Sequence, residues 1–411
     1  MACIWRWLPA FILQEVEMMT GHQLEPVAET GYDKFINIRR RLHQYPELSN
    51  EEFETTKSIR AWLEEAEIRI LDYPLATGVV AEVGGRKPGP VIALRADIDA
   101  LPVQEETGLP FASKIPGKMH ACGHDFHTAA LIGTAYALKE KENELEGTVR
   151  LIFQPAEEKA KGAKQVIDAG ALEGVQAIFG MHNKPDLPVG TVGIKGGPLM
   201  AAADGFAVEI EGKGSHAAVP EAGLDPIVTA AHVITALQSV VSRNVSALQS
   251  AVISVTQLHS GASWNVIPDR AVLEGTIRTF DETVRERVLE RFSQVVEGVT
   301  AALGASAGVR WIEGPPPVNN DEALAELGRE AAAAAGLRAV VPAPSPAGED
   351  FAVYQRKVPG LFVFMGTAGT QEWHHPAFTL DEAALPVSIR FFAELAERAL
   401  AQLRAAGGER R

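Results

Sequence analysis

HTAALIGTAYALKEKENELEGTVRLIFQPAEE, residues 127–158, holds the change of period that decides the fold. From about His127 to Lys141 apolar residues recur at three and four, the spacing of a helix with a buried face. A polar turn follows. Thr148 to Gln154 is then a β-rich run that Pro155 closes, which reads as a strand. The same exchange continues on both sides, with β-rich runs at Gly78 to Val83 and Pro90 to Leu94, a helix from Gly162 to Ala169 and a strand from Ala177 to Met181. Alternating strands and helices predict an α/β layer around a largely parallel sheet, whose functional loops gather at the strand carboxyl ends. Two helices, Asp33 to Arg41 and Glu51 to Glu65, precede it and are joined by the turn His43-Gln44-Tyr45-Pro46.

After Gly196-Gly197-Pro198 the order becomes strand (Gly205 to Glu211), helix (Pro226 to Val241), strand (Ala251 to Leu258), strand (Ala271 to Thr279), helix (Glu282 to Leu303) and strand (Gly308 to Glu313). That is βαββαβ, the ferredoxin-like order. Pro315-Pro316-Pro317 reads as a stiff exit, and the remainder, with a strand at Leu361 to Met365 and a helix at Leu385 to Ala406, is expected to rejoin the first layer. The predicted organisation is a tail (1–23), a discontinuous α/β domain (24–197 and 315–411) and an inserted domain (198–314), since insertion is tolerated where chain ends lie close at a surface.

A chain of 411 residues is longer than one core usually grows, and 46% hydrophobic residues with 22% charged are the proportions of a globular protein. The net charge of −15 argues against nucleic acid or an anionic membrane as partner. Cys3 and Cys122 are the two cysteines, so no disulfide framework exists and a reducing, cytoplasmic location is expected. Met1 to Leu13 is apolar but holds Arg6, is too short to span a membrane and has no small-residue cleavage pattern.

Cys122, His124, Glu158, His182 and His374 stand in separate segments, MHACGHDFHTA, FQPAEE, MHNKP and WHHPAF, each placed at the end of a run that reads as a strand. A thiolate, imidazoles and a carboxylate together suit Zn²⁺ or a similar ion. Singly, each has a plainer reading: a buried free cysteine, an acidic pair opening a helix, a structural histidine. Four loops at one sheet edge outweigh those readings. Glu157 and Glu158 diverge as neighbours, so one can bind metal while the other takes a proton from water. Arg95, Asp97 and Asp99 alternate along one strand face; Asp97 and Asp99 either orient a ligating histidine or form a surface ladder with the arginine.

Three motifs fail in context. The His-rich stretch lacks the glutamate and continuous helix of H-E-x-x-H. Gly304-Ala305-Ser306-Ala307-Gly308 joins helix to strand, the reverse of a nucleophile elbow. Gly212-Lys213-Gly214-Ser215-His216-Ala217 runs into Pro220 where a phosphate-capping helix belongs.

Taken in order, ALRADIDALPVQE, MHACGHDFHTA, FQPAEE, GMHNKPDLPVG, GKGSHAAVP, NVIPDRAVLEGTIRTF, GEDFAVY and HHPAF resemble the M20 metallopeptidases, and within them the branch of N-acyl-amino-acid amidohydrolases that includes hippurate hydrolases, indole-acetyl-amino-acid hydrolases and N-acetyl-diaminopimelate deacetylases. The resemblance runs from about Phe35 to the C-terminal helix. It implies a zinc-peptidase-like catalytic domain with an inserted dimerisation domain, and two divalent ions (Zn, Mn, Co or Ni) held by Cys122 as bridge with His124, Glu158, His182 and His374. By the same resemblance Glu157 is the general base, His216 reaches the substrate oxyanion across a homodimer, and Asn265 and Arg278 contact substrate, Arg278 being the better carboxylate clamp. Phe126 stands where the family more usually has Gly. The implied reaction is hydrolysis of an N-acyl amino acid; a di- or tripeptidase and a catalytically silent metal-binding scaffold are the alternatives.

Overall fold

In a computed structural model, residues 31–408 are described; the tail expected over 1–23, with Cys3, lies outside them. An eight-stranded sheet is drawn from 69–193 and 338–366, in the spatial order Arg69–Leu71, Val79–Gly84, Thr148–Gln154, Val91–Asp97, Val175–Lys184, Gly360–Gly366, Thr191–Gly193, Arg338–Val340. The four central strands run parallel. Val79–Gly84 is antiparallel to Thr148–Gln154, and Thr191–Gly193 to Gly360–Gly366, while the edge strand Arg338–Val340 is parallel to Thr191–Gly193, so the sheet expected to be largely parallel is parallel through its middle and mixed towards both edges. Residues 85–90 are too few for the crossover that would keep Val79–Gly84 in the direction of Val91–Asp97.

Both faces of this sheet are covered, and the central strands show it by burying alternate residues on opposite sides. Ile92, Leu94, Ala96, Val149, Leu151, Phe153, Leu361, Val363 and Met365 pack into one core with the helices Asp33–Gln44, His124–Glu140 and Ala384–Gly408. Ala93, Ile152, Phe362 and Phe364 enter the opposite core with Gly162–Asp168 and Phe351–Gln355. Gly133 lets two of the helices close on each other: a β-carbon there would lie 2.2 Å from Ile389.

A second, antiparallel sheet comes from residues 202–312, in the order Ala251–Ser260, Arg270–Thr279, Ala202–Glu211, Ser306–Ile312. That is the ferredoxin-like arrangement, and the helices Pro226–Asn244 and Glu282–Ala302 bury Val233, Leu237, Val288 and Phe292 against it. Asp225 and Asp281 cap these helices by accepting backbone N–H bonds. No helix among the described residues is long and apolar enough to cross a membrane.

Candidate metal centre

The parallel strands deliver their carboxyl ends to one edge, and the ligand types meet there. Glu157 and Glu158 open a single 3-10 turn just past Gln154, after Ala156 at φ +51°. His374 lies in the loop after Gly360–Gly366 at φ +67°, where few residues other than glycine settle. Its backbone N–H donates to the Ala121 carbonyl at 2.8 Å, pinning that loop to the CGH segment. Two expected placements are corrected. Cys122 sits in a turn and His124 is the first residue of the helix His124–Glu140, not the end of a strand. His182 lies within the strand Val175–Lys184 rather than after it. Gly123, at φ +84°, connects the first pair, and a β-carbon there would come within 2.4 Å of Asn183 Nδ2, so only glycine fits.

Two triads result, Cys122–His124–His182 and Cys122–Glu158–His374, each offering ligand atoms within 4.8 Å of one another. Cys122 belongs to both. Its Sγ is 3.4 Å from His182 Nε2, and His374 Nε2 is 3.5 Å from Glu158 Oε2. His124 Nδ1–H donates to the Asp99 carbonyl and His182 Nδ1–H to the Asn183 carbonyl, both at 2.9 Å, which turns both Nε2 lone pairs inward. His124 Nε2 and Glu158 Oε1 are buried with no hydrogen-bond partner among the described residues. Unpaired polar atoms of this kind cost about 1–3 kcal/mol each, and a cation satisfies both. The donor set therefore fits divalent metal.

The charges agree. Burial, reinforced by Glu158, Glu157 and Asp97, pushes the Cys122 thiol well up; a bound cation reverses that balance and takes the thiolate. Burial also lifts Glu158 to about 7. Burial and the neighbouring His127 hold His182 well down, hence neutral, and burial with His124 lowers His374. His124 differs: burial lowers it, but Asp97, Asp99 and Glu158 outweigh that and hold it up at about 10, so metal binding there displaces a proton.

Asp99, two residues past the strand Val91–Asp97, receives Ser49 Oγ at 2.6 Å and the Glu157 and Glu158 N–H groups at 3.1 Å, tying the PAEE turn to the segment that also holds His124. Asp97 Oδ1 accepts from His127 Nδ1 at 2.6 Å, and its Oδ2 from Arg95 at 2.7 Å. Arg95, Asp97 and Asp99 are all buried, which removes the surface-ladder alternative. His127 also lies within ligand distance of Asp97 and His124, yet its Nε2 already accepts the Asn183 N–H at 2.9 Å. With both nitrogens engaged it orients the centre instead of binding metal.

Sequence reasoning left several residues without a role. Asn183 Nδ2 donates to the Cys122 carbonyl at 2.6 Å and lies 3.0 Å from His127 Nε2, while its Oδ1 and main-chain oxygen accept from Trp373 Nε1 at 3.2 and 3.1 Å. One amide thus joins the CGH, MHN and WHH segments. Arg95 pairs with Glu349 at 3.0 Å and Asp350 at 2.8 Å, and the Asp350 N–H donates to Glu157 Oε1 at 3.3 Å. The acidic pair in GEDF was the available signal, though nothing local gave it a partner. Burial, then Glu349, Asp350 and Glu158, hold Glu157 well above the usual carboxylate range against the opposing Arg95.

His216 is exposed, in a short ribbon where Ser215–His216 pairs with Val266–Ile267, and its Nδ1 accepts the Ala218 N–H at 3.0 Å. Asn265 is its neighbour, accepting the Ala217 N–H at 3.1 Å. Arg278 is half-buried on the strand Arg270–Thr279 and donates to Thr276 Oγ1 and the Ile277 carbonyl. Among the described residues, no hydrogen bond or ion pair joins these three to the cluster.

The profile of "Peptidase family M20/M25/M40" matches residues 93–398. N-acetylcysteine deacetylase of Bacillus subtilis is 60% identical over 89% of this chain and 96% of its own length. IAA-amino acid hydrolase ILR1-like 4 of Arabidopsis thaliana is 42% identical over 91% of this chain and 87% of its own. The crystal structure of the Bacillus subtilis YXEP protein, described as a dinuclear metal binding peptidase from the M20 family, superposes with a TM-score of 0.82 at 56% identity, covering 90% of this chain and 98% of that one.

Proposed function

This chain belongs to peptidase family M20/M25/M40, and we propose that it hydrolyses the amide bond of N-acyl amino acids with two divalent ions, releasing a carboxylic acid and a free amino acid. The observation that carries this reading is a single sulfur, Cys122, shared by two ligand triads with the Glu157 carboxylate beside them. The relatives named N-acetylcysteine deacetylase and IAA-amino acid hydrolase support the substrate class.

Bound in the two triads, the ions supply Lewis acidity to the amide carbonyl and make water acidic enough to react near neutral pH. Glu157 accepts the proton that water gives up and passes it to the departing amine, so one carboxylate is base and then acid. Asp99 fixes the turn from which Glu157 and Glu158 project, and Asn183 fixes the CGH segment. Zn²⁺, Mn²⁺, Co²⁺ and Ni²⁺ all suit the donors.

Residues 198–314 act as an inserted unit that pairs two copies of the chain. Ala251–Ser260 is an edge strand with exposed Val252 and Leu258, next to exposed Trp264 and Val266, a surface prepared for strand addition. His216, which among the described residues makes no hydrogen bond or ion pair to its own cluster, then reaches the partner's substrate and donates to the developing oxyanion. Arg278 clamps the substrate carboxylate and Asn265 contacts the substrate beside it. A reducing cytoplasm is the fitting location for a centre that needs Cys122 as thiolate.

Purified protein loaded in turn with each metal and offered acetyl-, benzoyl- and glycyl-amino acids tests the reading. Turnover of the first two is expected, with Glu157→Gln keeping its metals and losing nearly all of it. Preference for the free-amine glycyl substrates indicates a dipeptidase, and no turnover with both ions bound indicates a scaffold.

A further inference from the structure

We infer that the cleft beside His374 is a specificity pocket for a large apolar substituent of the substrate, a claim that rests on the amidohydrolase reading and extends it. The cleft encloses about 540 Å³, within the range of small-molecule sites, and an acetyl group alone leaves most of it empty. Trp373 and His374 form the wall it shares with the metal centre, and the Trp373 ring lies 4.3 Å from that of His182. The segment Pro342 to Ala347, which includes Ala343, lines the facing wall with Leu187, and Lys184, Asp186 and Glu372 stand among the lining residues. The loop bearing the prolines is held in place: the Ala201 N–H donates to the Ser345 and Ala347 carbonyls at 3.0 and 3.1 Å, and the Ser345 N–H to Leu199 at 2.8 Å.

Charge decides which part of a substrate enters. Lys184 is the lining cation, and it is already committed, 3.1 Å from Asp186 and 5.0 Å above the Trp373 ring. Asp186 and Glu372 leave the lining with an excess of negative charge. With that lysine committed, the lining offers a substrate carboxylate no unpaired side-chain cation, while an aliphatic or aromatic group gains from leaving water. That group can belong to the acyl half or to the amino-acid side chain.

Calorimetric binding to metal-loaded Glu157→Gln separates the sources and does not depend on turnover. One arm compares acetyl-, hexanoyl- and phenylacetyl-L-alanine; the other compares the N-acetyl derivatives of alanine, leucine and phenylalanine. Affinity should rise at least ten-fold with bulk in one arm, and adding Ala343→Trp, or independently Ala347→Leu, should abolish most of that rise. Melting temperatures establish that each variant is folded. Affinity independent of bulk in both arms, or a bulk dependence that both filling variants leave intact, overturns the pocket. Bulk-dependent binding by a wild-type protein that turns over none of these compounds overturns the hydrolase reading and leaves the pocket standing.

Discussion

The metal-bearing edge of the large sheet and the ribbon carrying His216 are built on opposite terms. At the edge, Cys122, His124, His182, Asp97, Asp99 and Asn183 are buried, Glu158 is half-buried and only the ligand His374 is exposed, and the Nδ1 atoms of His124 and His182 each have a defined acceptor. The ribbon exposes His216 and pairs over only two residues on each side. A reaction centre whose groups must sit within tenths of an ångström needs the first kind of scaffold. An exposed ribbon suits His216 only if, as proposed, it acts on the substrate of a second subunit.

The contrast breaks most visibly at His216. His216→Ala should lower kcat by about 10²–10³, the scale of one oxyanion donor, while both metals stay bound. Mixed dimers of His216→Ala and Glu157→Gln should recover part of the activity, since one of their sites keeps both groups. No recovery, with mixed dimers demonstrated, contradicts action between subunits.

Behind the edge, the buried His43 of the helix Asp33–Gln44, paired with Asp125 of the helix that His124 opens, should also give a pH signature that the ribbon lacks. Burial lowers His43, but Asp125, 2.9 Å from its Nδ1, and Glu105 outweigh burial and hold it at about 9, above its ordinary 6.5. Its folded value is raised, so its contribution is fully present below about pH 6.5 and is lost as pH climbs through about 9, amounting to about 3 kcal/mol. Melting temperature between pH 7 and 10 should fall more steeply in the wild type than in His43→Gln. Parallel slopes contradict a charged His43.

A smaller effect sharpens the role of Asn183. Asn183→Asp keeps the shape but turns lone pairs toward the Cys122 carbonyl and His127 Nε2, and should weaken metal binding by about 10–100-fold, as loss of an orienting partner commonly does. With Co²⁺ bound, the sulfur-to-metal absorption should shift as Cys122 moves. Unchanged affinity and spectrum contradict the clamp.

Local pattern carried the layers and the strand Thr148–Gln154, because periodicity and Pro155 are local signals. It could not carry the direction of Val79–Gly84, set by a short link and a partner far along the chain. The site divides the same way. Cys122, His124, Glu158, His182 and His374 were legible because their side chains advertise metal chemistry. Arg95, Glu349, Asp350 and Asn183 gain meaning only from contacts up to 255 residues apart, and the same holds for His127, whose two nitrogens are taken by Asp97 and Asn183.

The central claim is that Cys122, common to both ligand triads, would serve both ions. Counting tightly bound metal per chain in wild type and in Cys122→Ala tests it most directly: two ions are expected in the first, and their joint loss in the second. A folded Cys122→Ala protein that still holds two ions tightly contradicts the bridge.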